Sequence, residues 1–457
     1  MTDCHRMNTI SNLPSGWIET TFGSVVSPVS VNDKKLPRSE YLESGRFPVI
    51  DQGQQFIGGY SDDETRVISE SLPLLVFGDH TRAFKYLNQP FVPGADGIKV
   101  LKPVGVDPKW LYNIAHALEL PDKGYARHYQ YLKSAKLLVP PLAQQHRIVA
   151  EIEQQFTRLD AGVAALRRVQ ANLKRYRAAV LKAACEGRLV PTEAELARAA
   201  GRPYESGEQL LARILSERRK NWRGHGKYKE PATPDTINLP IIPNSWTWVT
   251  WESVLAREDG AFKRGPFGSA LTKAIFVEKG LKIYEQYCPI NDDCSFGRYF
   301  ITQEKFDELQ AFEVKAGDYL ISCSGVTLGR ITRVPEQFDR GIINQALLRV
   351  RIEDSVIDHR YFIHLFRSAL FQKAIADNST GSAIPNVKGV RELKAMLIPL
   401  PPLAEQTRIV AEVERRLSVV DRLESVVTAN LQRATRLRQS ILQQAFTGRP
   451  PAAPGLD

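Results

Sequence analysis

A chain of 457 residues has room for two or three domains, and its 43% hydrophobic and 25% charged content is that of a globular protein. No apolar run nears the roughly 20 residues needed to span a bilayer, and Met1–Asn12 lacks the basic start and apolar core of a secretory signal, so the expected location is cytoplasmic with no membrane partner. The net charge of +10 and pI near 9.3 favour nucleic acid or another acidic surface as partner, while Cys4, Cys185, Cys288, Cys294 and Cys323 form no C-x-x-C pair and read as reduced thiols rather than a disulfide framework or zinc site.

Leu13-Pro14-Ser15-Gly16-Trp17 opens a segment, 14–139, that reads as mixed α/β. Strand-like runs are Pro48-Val49-Ile50, Leu74 to Phe77 and Gly97 to Leu101, each bounded by Gly, Asp, Asn or Pro, and a helical pattern follows at Trp110 to Leu118. The loops Asp51 to Gln55, Gly78 to Arg82 and Lys123 to His128 mix glycine, amide, hydroxyl and basic residues. Arg, Gln and His suit base edges, and Thr, Lys and backbone N–H groups suit phosphates. Gln52, Gln54, His80, Thr81, Arg82, Lys85, Arg127 and His128 are therefore candidate DNA contacts, against the plainer reading of ordinary surface turns.

Pro141 suits a first helical position, and apolar residues then recur at steps of three and four: Ile148, Ile152, Phe156, Leu159, Val163, Leu166. Gly187 is a plausible left-handed stop. About 43 residues at 1.5 Å each give a helix of roughly 65 Å. The connector from Pro191 to Pro240 carries a basic helical stretch, Glu208 to Arg223, read as a solvated helix tying two halves together, and then a Gly/Pro/Lys-rich run, Gly224 to Pro234.

A second mixed α/β segment, 243–400, opens at Ile242-Pro243-Asn244-Ser245-Trp246. Its strand-like runs are Tyr319 to Ser322 and Ala346 to Val350, with a helical pattern from His359 to Ile375. Its loops supply Lys263, Arg264, Ser269, Ser324, Thr327, Arg330, Thr380 and Ser382 as candidate DNA contacts. A second long helical stripe follows through Ile409, Val413, Leu417, Val420, Val427 and Leu431 to a stop at Gly448, before a Pro/Ala/Gly-rich tail expected to be disordered.

The two long segments are copies. Pro140-Pro141-Leu142-Ala143-Gln144-Gln145-His146-Arg147-Ile148-Val149-Ala150-Glu151 returns 261 positions later as Pro401-Pro402-Leu403-Ala404-Glu405-Gln406-Thr407-Arg408-Ile409-Val410-Ala411-Glu412, and the register holds for 49 residues without a gap. The Pro-x-x-Trp openings repeat at an offset of 229. Between these marks the copies share little sequence. A constant frame around divergent inserts is what a protein needs when each insert reads something different. The economical way to bury two such stripes is to pair the helices, antiparallel if the copies are related by a two-fold axis, although packing of each helix on its own domain is the alternative.

Catalytic signatures are missing together. The chain has no G-x-x-x-x-G-K-[ST] phosphate loop, no Asn/Asp-Pro-Pro-aromatic tetrapeptide, no G-x-G-x-x-G after a strand and no H-E-x-x-H. A coiled-coil scaffold would explain the stripes but not the paired inserts or basic charge; a single-chain methyltransferase or nuclease would need those motifs.

The twice-used Pro-Pro-Leu-Ala-(Gln/Glu)-Gln-x-Arg-Ile-Val-Ala-Glu segment, the run Asn386-Val387-Lys388-Gly389-Val390 leading into Leu397-Ile398-Pro399-Leu400, and the two divergent inserts resemble the specificity subunits of type I restriction–modification enzymes. The resemblance implies an α+β fold: two α/β target recognition domains separated by two long helices in an antiparallel coiled coil, pseudo-two-fold symmetric. The implied divisions are 13–139 and 242–400 for the recognition domains, 140–190 and 401–449 for the helices, and 191–241 for the connector. It further implies a non-catalytic subunit that binds double-stranded DNA, two modification (methyltransferase) subunits and the restriction (translocase/endonuclease) subunits. The chain itself would bind no cofactor or metal, and S-adenosylmethionine, ATP and magnesium would be used by the partners.

Overall fold

The computed structural model describes residues 14–94, 97–121, 123–124, 126–222, 226–236, 239–325, 327–377, 379–380, 386–387 and 389–446. The chain forms two compact units: residues 1–169 with 426–457, and residues 170–425. These units do not follow the sequence divisions. Each takes one α/β domain together with part of both long helices, because the ends of the helices are built into the domain cores.

In the first unit a four-stranded antiparallel sheet runs in the order Val26–Val29, Ile98–Pro103, Leu74–Gly78, Phe84–Leu87. Leu74–Gly78 is buried at every position, as expected of an inner strand covered on both faces. A three-stranded sheet runs Gly59–Ser61, Phe47–Ile50, Val92–Pro93, with the last two parallel. Ile18–Thr21 pairs antiparallel with Lys136–Val139, Ile18 opposite Val139, and closes the domain. Asp107 caps the helix Pro108–Ala117 through the N–H of Trp110, 2.8 Å away.

The second unit repeats this topology. Its sheets run Phe262–Arg264, Leu347–Val350, Tyr319–Ser322, Ile331–Arg333, and Phe300–Ile301, Leu281–Tyr284, Gly341–Ile343, again with the last two parallel. Thr247–Thr250 pairs with Leu397–Leu400, Thr247 opposite Leu400, which is the first unit's closing register shifted by the two repeat offsets. Trp251 anchors the core, its ring 5.0–5.9 Å from those of Phe262, Phe362, Phe366 and Phe371. The inserts that share little sequence are thus one fold used twice. The helical pattern from His359 onward is two helices, His359–Arg367 and Ala369–Asp377, broken at the buried Ser368.

The frame repeats at the level of single bonds. Trp17 Nε1 donates to Gln144 Oε1 at 3.1 Å, and Trp246 Nε1 to Glu405 Oε1 at 2.7 Å. Gln145 and Gln406 each accept, at 2.7 Å, the N–H of the aspartate that caps the domain's helix, Asp107 and Asp358, and each donates to the carbonyl of the proline five residues back. The repeated Gln therefore ties the start of each long helix to its domain.

The long helices are Leu142–Cys185 and Leu403–Phe446, 44 residues each, or about 66 Å. In the first unit Arg438 pairs with Asp160 and its guanidinium lies 4.2 Å from the centre of the Phe156 ring, while Ile441, Leu442 and Phe446 share a core with Val149 and Ile152. In the second unit Arg177 pairs with Asp421 and with Glu424, 3.1 Å away, while Val180, Leu181, Ala184 and Cys185 share a core with Ile409, Val410 and Val413. Both patterns are antiparallel. Ile152, Ile409, Val413, Val420 and Val427 of the predicted stripes are buried, and Ile148, Phe156, Leu159, Val163, Leu166, Leu417 and Leu431 are half-buried. Helix pairing and packing on the domain are not alternatives here: the same stripe does both.

The first long helix ends as its sequence suggests. Gly187 has φ +67°, and the N–H of Arg188 donates to Ala183 O at 2.9 Å, a Schellman closure. Gly448 lies outside the described residues. The connector differs from expectation. Glu193–Ala200 is an additional helix with a capping box, and the basic helix, Gly207–Lys220, is not merely solvated. It buries Leu210 and Ile214, and Arg218 is only 5% exposed, donating to the carbonyls of Glu252 (2.8 Å) and Ser253 (2.9 Å). Both acceptors lie at the start of the second α/β domain.

Candidate nucleic-acid interface

In the first unit the three singled-out loops converge. Gln52 and Gln54 follow the strand Phe47–Ile50, His80 to Arg82 form the turn between Leu74–Gly78 and Phe84–Leu87, and Arg127 and His128 precede the helix Tyr129–Ser134. Gln52 Oε1 accepts the N–H of His80 at 3.4 Å, Thr81 Oγ1 donates to Gln52 O, and Gln54 Nε2 donates to Thr81 O at 3.3 Å. His80 Nδ1 lies 3.2 Å from Ala126 O. The buried Asp79 accepts the N–H groups of His128 (2.9 Å, on its carbonyl) and Tyr129 (2.8 Å, on its carboxylate). Arg82 holds its turn with φ +59°, and its guanidinium reaches Leu120 O at 3.5 Å. Arg127 is exposed.

Two of the candidates are committed inward. Lys85 is 3% exposed; its ammonium donates to Asp51 O at 2.8 Å and sits 3.5 Å from the Asp51 carboxylate. Burial lowers its pKa, and Asp51 opposes part of that shift. The alternation of the strand Phe84–Leu87 turns this side chain toward the protein. His128 is 1% exposed with Nδ1 3.0 Å from Asp79 O, so it braces the loops from within.

In the second unit Lys263 and Arg264 end a strand, and Ser324, Thr327 and Arg330 lie on the turn between Tyr319–Ser322 and Ile331–Arg333. Lys263, Arg264 and Ser324 line one cleft of about 730 Å³ with Phe267, Phe312 and Gln345. Phe267 is 90% exposed, a flat apolar face beside two cations, and the Lys263 ammonium lies 5.1 Å from the centre of the Phe312 ring. Ser269 and Arg330 are exposed, and Thr327 is half-buried. Thr380 belongs to the two-residue strand Ser379–Thr380. Ser382 lies outside the described residues.

Sequence reading missed Gln286, whose side chain bonds the turn that carries Ser324. It also missed Phe267 and Gln345 as cleft walls. Only the strand register brings these residues to the turn. Among the described residues no group of three or more His, Cys, Asp or Glu side chains is placed to hold a metal ion, and no helix is long and apolar enough to cross a membrane. Cys185, Cys288, Cys294 and Cys323 are buried free thiols, and burial pushes Cys185 and Cys323 up to about 12.

Residues 273–430 match the type I restriction modification DNA specificity domain family. The type I restriction enzyme EcoBI specificity subunit of Escherichia coli is 25% identical over 320 residues, covering 69% of this chain and 59% of that subunit. The EcoDI specificity subunit of Escherichia coli is 20% identical over 445 residues, covering 95% of this chain and 89% of that subunit. A solved chain from work on complex assembly and conformational transition of the type I R-M system superposes with a TM-score of 0.58 at 18% identity, covering 96% of this chain and all of that one, a likeness of fold. Two α/β domains of one topology, framed by repeated helices, define a duplicated scaffold. Residues 273–430 thus resemble that specificity domain, and the chain is similar to the specificity subunits of type I restriction enzymes.

Proposed function

We propose that this chain is the DNA specificity subunit of a type I restriction–modification complex, each α/β domain reading one half of a bipartite, asymmetric site. The carrying observation is the contrast between frame and loops. Tryptophan-to-helix bonds, closing strands and helix caps repeat bond for bond, while the loop clusters they hold present different residues, His80 and Arg82 in one and Ser324, Lys263 and Arg264 in the other. Phosphate contacts by lysine and arginine supply salt-dependent affinity, and the loop residues supply sequence preference. The long helices are continuous from one unit into the other and set the gap between half-sites, with footprints about one helical turn, or ~10 bp, apart.

The chemistry belongs to partners. Two modification subunits bring S-adenosylmethionine and methylate adenine N6, and restriction subunits use ATP and magnesium; the chain itself is not a catalyst. Val419, Leu423 and Val426, 45–56% exposed on the second long helix, are an apolar surface suited to a partner helix.

The test is a map of N6-methyladenine in DNA from cells making this chain with its modification subunit, beside cells lacking the chain. A new motif of two short half-sites around a fixed gap is expected. No new methylation, with the modification subunit folded and associated, would overturn the reading and leave the coiled-coil scaffold in its place.

A further inference from the structure

The backbone bonds of the two domains align positions that sequence does not. Gly94 donates its N–H to Ile50 O at 2.8 Å, and Asn344 donates to Tyr284 O at 3.0 Å, so Ile50 and Tyr284 end equivalent strands. Two residues on stand Gln52 and Gln286. Likewise Asp79 N–H to Gly97 O (2.7 Å) matches Cys323 N–H to Ala346 O (2.9 Å), which makes His80 and Ser324 equivalent turn residues. In both domains the glutamine side chain crosses to that same turn position. Gln52 Oε1 accepts from His80 N–H at 3.4 Å; Gln286 Nε2 donates to Ser324 O at 2.8 Å, to Ser324 Oγ at 3.2 Å and to the buried Ser322 Oγ at 2.8 Å.

The polarity of the contact is reversed between the copies, which a primary amide permits because it carries both a donor and an acceptor. Gln286 precedes the short helix Tyr287–Asn291 yet makes no cap bond with its side chain, so its amide is spent on the turn. In the first domain Gly97, at φ +90°, leaves room for the amide: a Cβ there would sit 2.6 Å from Gln52 Oε1. The residue that each glutamine holds faces the loop cluster, and Ser324 lines the cleft with Lys263 and Arg264.

We infer that Gln286, and Gln52 in the first domain, is a positioning residue for sequence recognition, a tether that fixes the reading turn of its own domain. This rests on the DNA-specificity reading above. The tether touches no base; it removes turn conformations in which the reading groups are misplaced, so losing it blurs discrimination more than affinity.

The experiment uses the full chain assembled with its modification subunit, and duplexes carrying the mapped motif with single base changes in either half-site. Gln286→Met keeps the side-chain length and removes the hydrogen bonds. Discrimination at one half-site should fall about tenfold, that at the other should hold, and the melting temperature should change little. Gln52→Met should do the same at the opposite half-site, by less because its bond is longer, and it decides the matter if Gln286→Met fails to fold. Unchanged discrimination in folded variants, or equal loss at both half-sites together with lost stability, would overturn the inference while leaving the function intact. A wild-type complex that prefers no bipartite motif would overturn the function and the inference together.

Discussion

Arg177 and Asp421 pair across the long helices of the second unit, and residues 261 positions from each, Arg438 and Asp160, make the same pair in the first. The two pairs differ in support. Arg177 also reaches Glu424, whereas Arg438 lies over the Phe156 ring. The carboxylates are 61–62% exposed, so each pair is worth roughly 0.2–1 kcal/mol. Asp421→Arg should destabilise by more than Asp421→Ala through like-charge contact, and adding Arg177→Asp should recover most of the loss. Urea denaturation of the two single and the double variant measures that coupling.

Trp246→Phe should cost more than Trp17→Phe. Glu405 is buried and holds two donors, Trp246 Nε1 and, at 2.8 Å, the N–H of Glu193, whereas Gln144 is a neutral, half-buried amide. Leaving the carboxylate short of a donor costs about 1–3 kcal/mol. Burial already raises the Glu405 pKa above 4.5, against the lowering effect of those two donors. Its stability contribution is therefore lost as pH rises through the folded pKa, and removing the indole N–H enlarges that loss. Denaturation of both variants at pH 5 and pH 8 tests the ranking and the slope.

Gly187→Ala and Gly201→Ala separate backbone strain from contact. Both glycines are left-handed, at φ +67° and +61°, and an alanine there costs roughly 1–2 kcal/mol. At Gly201 a Cβ meets nothing within 4 Å, but at Gly187 it would lie 2.3 Å from Pro243 Cγ. The Gly187 variant should melt lower than the Gly201 variant, and equal melting would refute the role of Pro243.

His364 sets an acid-side weakness in the second unit. Burial, with Arg367 adding to it, lowers its pKa from 6.5 to about 4. The unfolded state thus takes up a proton that the folded state refuses, and stability falls as pH drops from 6.5 toward 4. His364→Asn should flatten the decline within that window. Chemical denaturation at pH 7, 5.5 and 4.5 gives the comparison.

The helices were legible because their signal is local and doubled: proline at the start, apolar residues at three- and four-residue steps, and glycine at φ +67° after Cys185. The inner strand Leu74–Gly78 was legible as a short apolar run. The common topology of the inserts was not, because it resides in pairings such as Val49 with Val92, which lie far apart in sequence and depend on backbone bonds rather than residue type. The same cause hid Gln286, whose place is set by the strand before it. Lys85 read as a DNA contact because it lies just after a turn of hydroxyl and basic residues, His80 to Arg82; its strand faces it toward Asp51.

Phe446 packs edge-on against Trp110, ring centres 6.0 Å apart, within a unit that otherwise uses residues up to 169. During synthesis the first domain therefore waits for the far end of the second long helix, more than 300 residues later, before its core can close. Meanwhile Trp110, Val149 and Ile152 lack part of their cover. A ribosome that stops before residue 441 would release a chain whose earliest-made domain is the unfinished one.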